Sequence, residues 1–218
     1  MKRAAGGASA ASVVPKRVRG AAKPDWRATM FFWRGEIKLA DGLVSWTGSW
    51  VGSDGPEPAA AAFTSSPHTF TVRGPARDRT SFKVADEVGP DASDRGTCDF
   101  DWEASSYILD VGEAPKSDDE HHFVVLEGGE GCMASTVSAF GCNEFGRFVS
   151  FGFMTDFSPD ARTAVLTLAR RYVRDDDPRA AVRSAAALRS EMARRRAEGT
   201  LGDATPQYSS MLPVRVKA

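Results

Sequence analysis

Residues 31–53 read "FFWRGEIKLADGLVSWTGSWVGS", and no other stretch limits the fold as strongly. Phe31, Trp33, Ile37 and Leu39 fall on one side of a two-residue period, with Arg34, Glu36 and Lys38 on the other. A chain of that texture buries one face as a β-strand, because successive side chains of an extended backbone point to opposite faces. "ADG" supplies the left-handed positions of a tight hairpin. Val44, Trp46 and Trp50 then share a face with Gly48 and Gly52, side-chain-free positions that suit a strongly curved sheet.

The same texture continues along the chain. Strands are expected at 68–74, 80–86, 97–112, 121–127, 134–140 and 146–154, separated by Gly-rich or polar turns such as "GEAPKSDDE" and "GGEG". "PEPAAAAFTSSP" reads as a low-complexity loop. About eight short strands with turn chemistry between them predict an all-β fold, an antiparallel barrel-like or sandwich domain over residues 26–174. The segment 158–173 fits two patterns. Ser158 and Pro159 with Ala161, Val165, Leu168 and Tyr172 suit a helix, while Ala164, Leu166, Leu168 and Tyr172 alternate as a strand, the reading preferred here.

An Arg-rich C-terminal helix is expected over residues 177–199, from an Asp177 N-cap and Pro178 to a Gly199 stop, with residues 200–218 as a polar tail. Its apolar stripe of Ala181, Ala185, Leu188 and Met192 is thin. Residues 1–25 carry six Lys/Arg against one Asp, with no hydrophobic period, and read as a disordered basic segment. Two basic clusters there, Lys2-Arg3 and Lys16-Arg17-x-Arg19, are spaced as a bipartite nuclear import signal for an import receptor. The nucleus is therefore the expected address. The same Ala/Ser-rich, acid-free segment also suits a cleaved organellar transit peptide, and a cytoplasmic protein with a solvated tail is the remaining alternative. Direct nucleic-acid contact has weaker support, because Ala21 stands where a minor-groove hook would place a second arginine.

Cys98, Cys132 and Cys142 are odd in number and unpaired in spacing, so a disulfide framework is not expected. No stretch is long and apolar enough to span a bilayer as a helix, and no membrane partner is expected. His121-His122 with Cys132 and Cys142 lack the short chelate turns of a zinc site, and neighbouring histidines on a strand point apart. Neither a metal nor a cofactor is expected. Asp99, Asp101 and Glu103 alternate with Phe100 and Trp102 and read as a solvated face.

Residues 120–172 contain His121, the turn Gly141-x-Asn143-x-Phe145-Gly146-x-Phe148, then Gly152 and a closing Leu168, Arg170 or Arg171, and Tyr172. This pattern resembles a group of algal and oomycete proteins, mostly of unknown function. The resemblance covers about a quarter of the chain, implies an antiparallel β domain, and supplies no catalytic residues. The turn itself, Gly141 to Gly146, reads as a tight bend in which Asn143 bonds backbone groups.

With no nucleophile in a recognisable elbow, the expected function is non-enzymatic: a binding or interaction module of unidentified protein partner. Two alternatives stay open. Trp33, Trp46, Trp50, Trp102 and Phe151 are positioned to line the cavity of a lipocalin-like carrier of a small apolar ligand. The acidic turn "SDDEHH", ending in His121 and His122, is the candidate hydrolytic site.

Overall fold

The computed structural model describes residues 29–54, 57–75, 97–126, 135–158 and 160–177, with 180, 184, 186–188, 190, 194, 197 and 198 of the C-terminal stretch. The basic N-terminal segment, the expected strand at 80–86 and the tail lie outside these residues.

Nine antiparallel strands form one curled sheet, a half-barrel: β1 (Met30–Ala40), β2 (Leu43–Ser53), β3 (Thr69–Pro75), β4 (Thr97–Asp101), β5 (Ala104–Tyr107), β6 (Glu120–Leu126), β7 (Ser135–Asn143), β8 (Gly146–Ser158) and β9 (Thr163–Tyr172). Their order across the sheet is β4-β6-β7-β8-β9-β1-β2-β3-β5. The first hairpin forms as its sequence requires, with Ala40 paired to Leu43 across Asp41 and Gly42, both at positive φ.

The two edge strands are neighbours in sequence. Only Trp102 and Glu103 separate β4 from β5, and these two residues reach both sides of the opening. Trp102 N–H donates to the His121 carbonyl (2.9 Å), and Glu103 N–H to the Arg73 carbonyl (3.0 Å). The single strand expected at 97–112 is thus broken in the middle, where it leaves one edge of the sheet and joins the other.

Cross-strand neighbours share a face, so the register sorts the side chains. On the concave face Trp33, Ile37, Trp46, Trp50, Phe70, Trp102, Tyr107, Phe123, Val137, Leu166 and Leu168 form the main core. On the convex face Met30, Phe32, Phe151, Phe153 and Ala169 form a second cluster. That cluster is covered in part by Phe63 and Leu188. Phe63 belongs to a short helix α1 (Ala60–Thr64), which stands where a loop was expected. The chain folds there because Phe63 has an apolar face to bury against, while the surrounding alanines tolerate a helical turn.

β9 resolves the ambiguity of 158–173 in favour of a strand. Both of its faces are covered, so Thr167 and Ala169 are buried along with Leu166 and Leu168. That double burial erases the polar half of the alternation and makes the sequence look helical. Curvature brings backbones together at Gly48, where a Cβ would strike the Arg34 carbonyl; Gly52, the other glycine expected to permit close approach, faces only side chains, Thr29 at 3.4 Å and Phe31 at 3.7 Å. The C-terminal stretch is helical at residues 186–188, 190, 194 and 197. Ser184 Oγ accepts from the Ala187 N–H (3.2 Å), and the Ala180 N–H donates to the Asp177 carbonyl (2.8 Å).

Candidate functional site

One end of the concave face is polar. Asp118 comes from the β5–β6 connection, His121 from the start of β6, Asn143 from the end of β7, and Arg170 and Tyr172 from β9; Tyr107 closes β5. The turn after β5 is short and well pinned, and it delivers Asp118 inward. Lys116 and Tyr107 exchange backbone hydrogen bonds, the Asp118 N–H donates to Ser105 Oγ (2.5 Å), and the Asp119 N–H to the Cys142 carbonyl (2.8 Å).

Arg170 donates from both terminal nitrogens to Asp118, Nη1 to Oδ1 at 2.9 Å and Nη2 to Oδ2 at 2.8 Å. The two side chains are only 2% and 1% exposed. The guanidinium plane lies between rings, its Cζ 4.2 Å from the Trp33 centroid and 3.8 Å from that of Phe148. Phe148 can reach across because residue 141 is glycine; a Cβ there would collide with the Glu120 carbonyl and with the Phe148 ring.

Asn143 Nδ2 sits within hydrogen-bond distance of three oxygens, Tyr172 Oη (2.8 Å), Asp118 Oδ1 (2.9 Å) and Tyr107 Oη (3.1 Å). With two protons to give, it shares one of them. Its Oδ1 accepts from the Phe145 N–H at 3.0 Å, the backbone bond expected of a turn asparagine. Asn143 therefore ties the Gly141–Gly146 bend to the buried ion pair, a role that turn chemistry alone does not suggest.

His121 and His122 point to opposite faces. His121 is buried beside Phe123 (ring centroids 4.6 Å apart) and Phe148 (5.1 Å), whereas the His122 ring stacks on Phe140. His121 Nδ1 lies 3.1 Å from Asp118 Oδ2. Burial lowers its pKa from 6.5 to about 4, against the opposing pull of Asp118. Neutral imidazole is the resting form. For Asp118, burial pushes the pKa up, but the Arg170 charge and then the His121 contact outweigh it and hold the carboxyl well below the usual carboxylate range. Burial, then Tyr172 and Asp118, push the Tyr107 phenol well above its ordinary value.

His121 makes the stability of the fold depend on pH. In the unfolded chain it takes up a proton near pH 6.5, and in the folded protein only near pH 4, so between these values the unfolded state binds more protons. Stability is expected to fall as pH drops through that window. Urea midpoints at pH 7, 5.5 and 4.5 measure it, and His121→Phe should flatten the dependence.

Trp33, Trp46, Trp50 and Trp102 share the concave core, but Phe151 belongs to the convex cluster and cannot line the same cavity. Period two across the bulged β8 puts Phe148 and Phe151 on opposite faces, so an odd offset decides the matter. Cys142, one residue from Gly141, is likewise on the face away from His121, with its Sγ 3.7 Å from Glu120. Among the described residues no group of three His, Cys, Asp or Glu is arranged to hold a metal ion, and no helix is long and apolar enough to cross a membrane. The import-signal residues Lys2, Arg3, Lys16, Arg17 and Arg19 lie outside the described residues.

His121, Gly141, Asn143, Phe148, Arg170 and Tyr172, scattered over fifty residues of sequence, thus meet around one ion pair. Asp118 is its acidic partner, and the sequence offered it only as one member of "SDDEHH". No protein-family model matches the chain, and neither a curated protein nor a solved structure matches it.

Proposed function

We propose that the chain is a non-catalytic binding module in which the Asp118–Arg170 centre holds the half-barrel in shape. The observation that carries this reading is that the acid–base groups are committed to one another. Both oxygens of Asp118 are engaged by Arg170, and Asn143 takes a further position on Oδ1. A general base needs its carboxylate or imidazole within reach of a substrate proton. Here the carboxylate is buried under a guanidinium, and the imidazole faces Phe123 and Phe148. Covalent catalysis fares no better, since the nearby thiol of Cys142 is on the opposite face of the sheet from His121.

The proposed address is the nucleus, through an import receptor that reads Lys2, Arg3, Lys16, Arg17 and Arg19. A fluorescent fusion of residues 1–25 should accumulate there and lose that behaviour when Lys16, Arg17 and Arg19 become Ala. The binding reading itself is tested against the hydrolase alternative by a turnover screen over ester, amide, phosphoester and glycoside substrates. No turnover is expected from the folded protein. Hydrolysis that disappears in His121→Ala, with the variant still folded, would replace this reading by the hydrolytic one.

A further inference from the structure

The convex cluster has two covers of unequal hold. Beneath them Met30, Phe32 and Ala169 are at most 1% exposed, and Phe153 and Phe151 are 4% and 8% exposed. One cover is Phe63 of α1, fastened to the sheet where Ser49 Oγ donates to the Phe63 carbonyl (2.6 Å). The other is Leu188. Among the described residues from 184 to 198, Leu188 alone is not exposed. Its N–H donates to the Ser184 carbonyl (3.1 Å), and Ser190 Oγ to the Ala186 carbonyl (3.0 Å), bonds that tie the stretch to itself rather than to the sheet.

An open link joins this stretch to the sheet. The Val173 N–H still donates to the Arg147 carbonyl of β8 (2.9 Å), but Arg174, Asp175 and Asp176 are exposed. Ala180 is buried again, in a shallow depression lined by Phe140, Val149 and Val173. The hold of a segment on an apolar face scales with the apolar area it buries there. A methyl group at 180 and a half-buried leucine at 188 are little to set against the rings of Phe32, Phe151 and Phe153. Segments with few buried apolar contacts open while the rest of a fold stays closed.

We propose that the C-terminal stretch is a releasable strap, and that the convex face under it docks an amphipathic helix of a partner protein, which displaces the strap. The inference rests on the binding-module reading and names its partner class. A helix is the occupant because the face already seats helical residues, Leu188 and Phe63. The partner outcompetes the strap through the size of its apolar side chains. At helical spacing from Leu188 the chain's own stripe offers Ala181, Ala185 and Met192, two of the three being alanine. A helix with leucines at those two positions buries more of the same face. Once uncovered, the cluster is an apolar patch of the kind that marks interaction sites.

Amide hydrogen exchange and peptide binding, both on the full chain, test the strap. The Leu188 amide is expected to exchange about a hundredfold faster than the paired amides of β1 and β9, through an opening that leaves the sheet folded. The probe is a labelled peptide of residues 178–199 carrying Ala181→Leu and Ala185→Leu. It should bind the full chain saturably, and roughly tenfold more tightly when that chain carries Leu188→Asp, which loosens its own strap. The same peptide with Leu188→Asp should not bind. The proposal is overturned by a Leu188 amide that exchanges only when the whole sheet unfolds, or by a peptide that binds the variant chain no better than the wild type. A Leu188→Asp chain that fails to fold overturns it too, because a releasable strap does not carry the fold. These outcomes bear on the strap and its partner class, whereas only His121-dependent turnover removes the binding reading.

Discussion

Arg170→Met is expected to cost the folded state about 3–5 kcal/mol, the usual penalty for removing one partner of a buried ion pair. The reason is what it leaves behind. Asp118 would remain 1% exposed, with Asn143 and His121 beside it and no cation to match its charge. Asp118→Leu strands the guanidinium between Trp33 and Phe148 in the same way and should cost a similar amount. The double variant, Asp118→Leu with Arg170→Met, is expected to be more stable than either single one, because it removes the orphaned charge as well as the bond. Urea denaturation of the three variants gives the coupling directly. If either single variant is too unstable to purify, recovery of folded protein in the double variant still reports the effect. Additive losses would mean that the pair is not the unit described here.

Gly152→Ala should be comparably damaging, although it adds one methyl group. Gly152 pairs with Leu168, and a Cβ there would sit inside the contact distance of the Thr167 carbonyl and close to the Leu168 Cα. Neither obstacle is a flexible side chain, so the strands themselves must part. Overpacking in a well-packed core costs about 1–3 kcal/mol, and backbone obstruction puts this case at or beyond the upper end. Gly52→Ala is the matched control. Its Cβ would meet the ends of the Thr29 and Phe31 side chains at 3.4 Å and beyond, and its effect should stay within about 0.5 kcal/mol. Thermal unfolding of the two variants separates curvature from a general intolerance of glycine replacement.

Much of the sheet was legible because period two is a local property. The β1–β2 hairpin needs only its own alternation and the Asp41-Gly42 turn. What sequence periodicity misses is set by long-range geometry. It does not reveal that the strand at 97–107 breaks at Trp102–Glu103, since that break exists to join β6 on one side and β3 on the other. Nor does it reveal that β9 is buried on both faces. The same holds for the polar centre. Asp118 resembles its exposed neighbours Asp119 and Glu120 in every local respect, and only the pinned turn after Tyr107 sends it inward to Arg170. Arg170 and Arg171 are equivalent by composition, and only the strand reading of 163–172 separates them: period two puts Arg170 on the face of Leu166, Leu168 and Tyr172, as its pairing with Phe31 and Ser150 shows. A basic residue on the apolar face of a strand was the signal available, and an acidic partner fifty-two residues upstream is beyond the reach of pattern.

The state of His121 decides most directly whether this centre is closed. Labelled imidazole resonances followed by NMR from pH 7.5 to 3.5 should show a neutral ring with its proton on Nδ1, taking up a second proton only near pH 4. A His121 that titrates near 6.5 would mean an imidazole open to solvent and available for proton transfer, and would contradict the description of this centre as a closed, non-catalytic clasp.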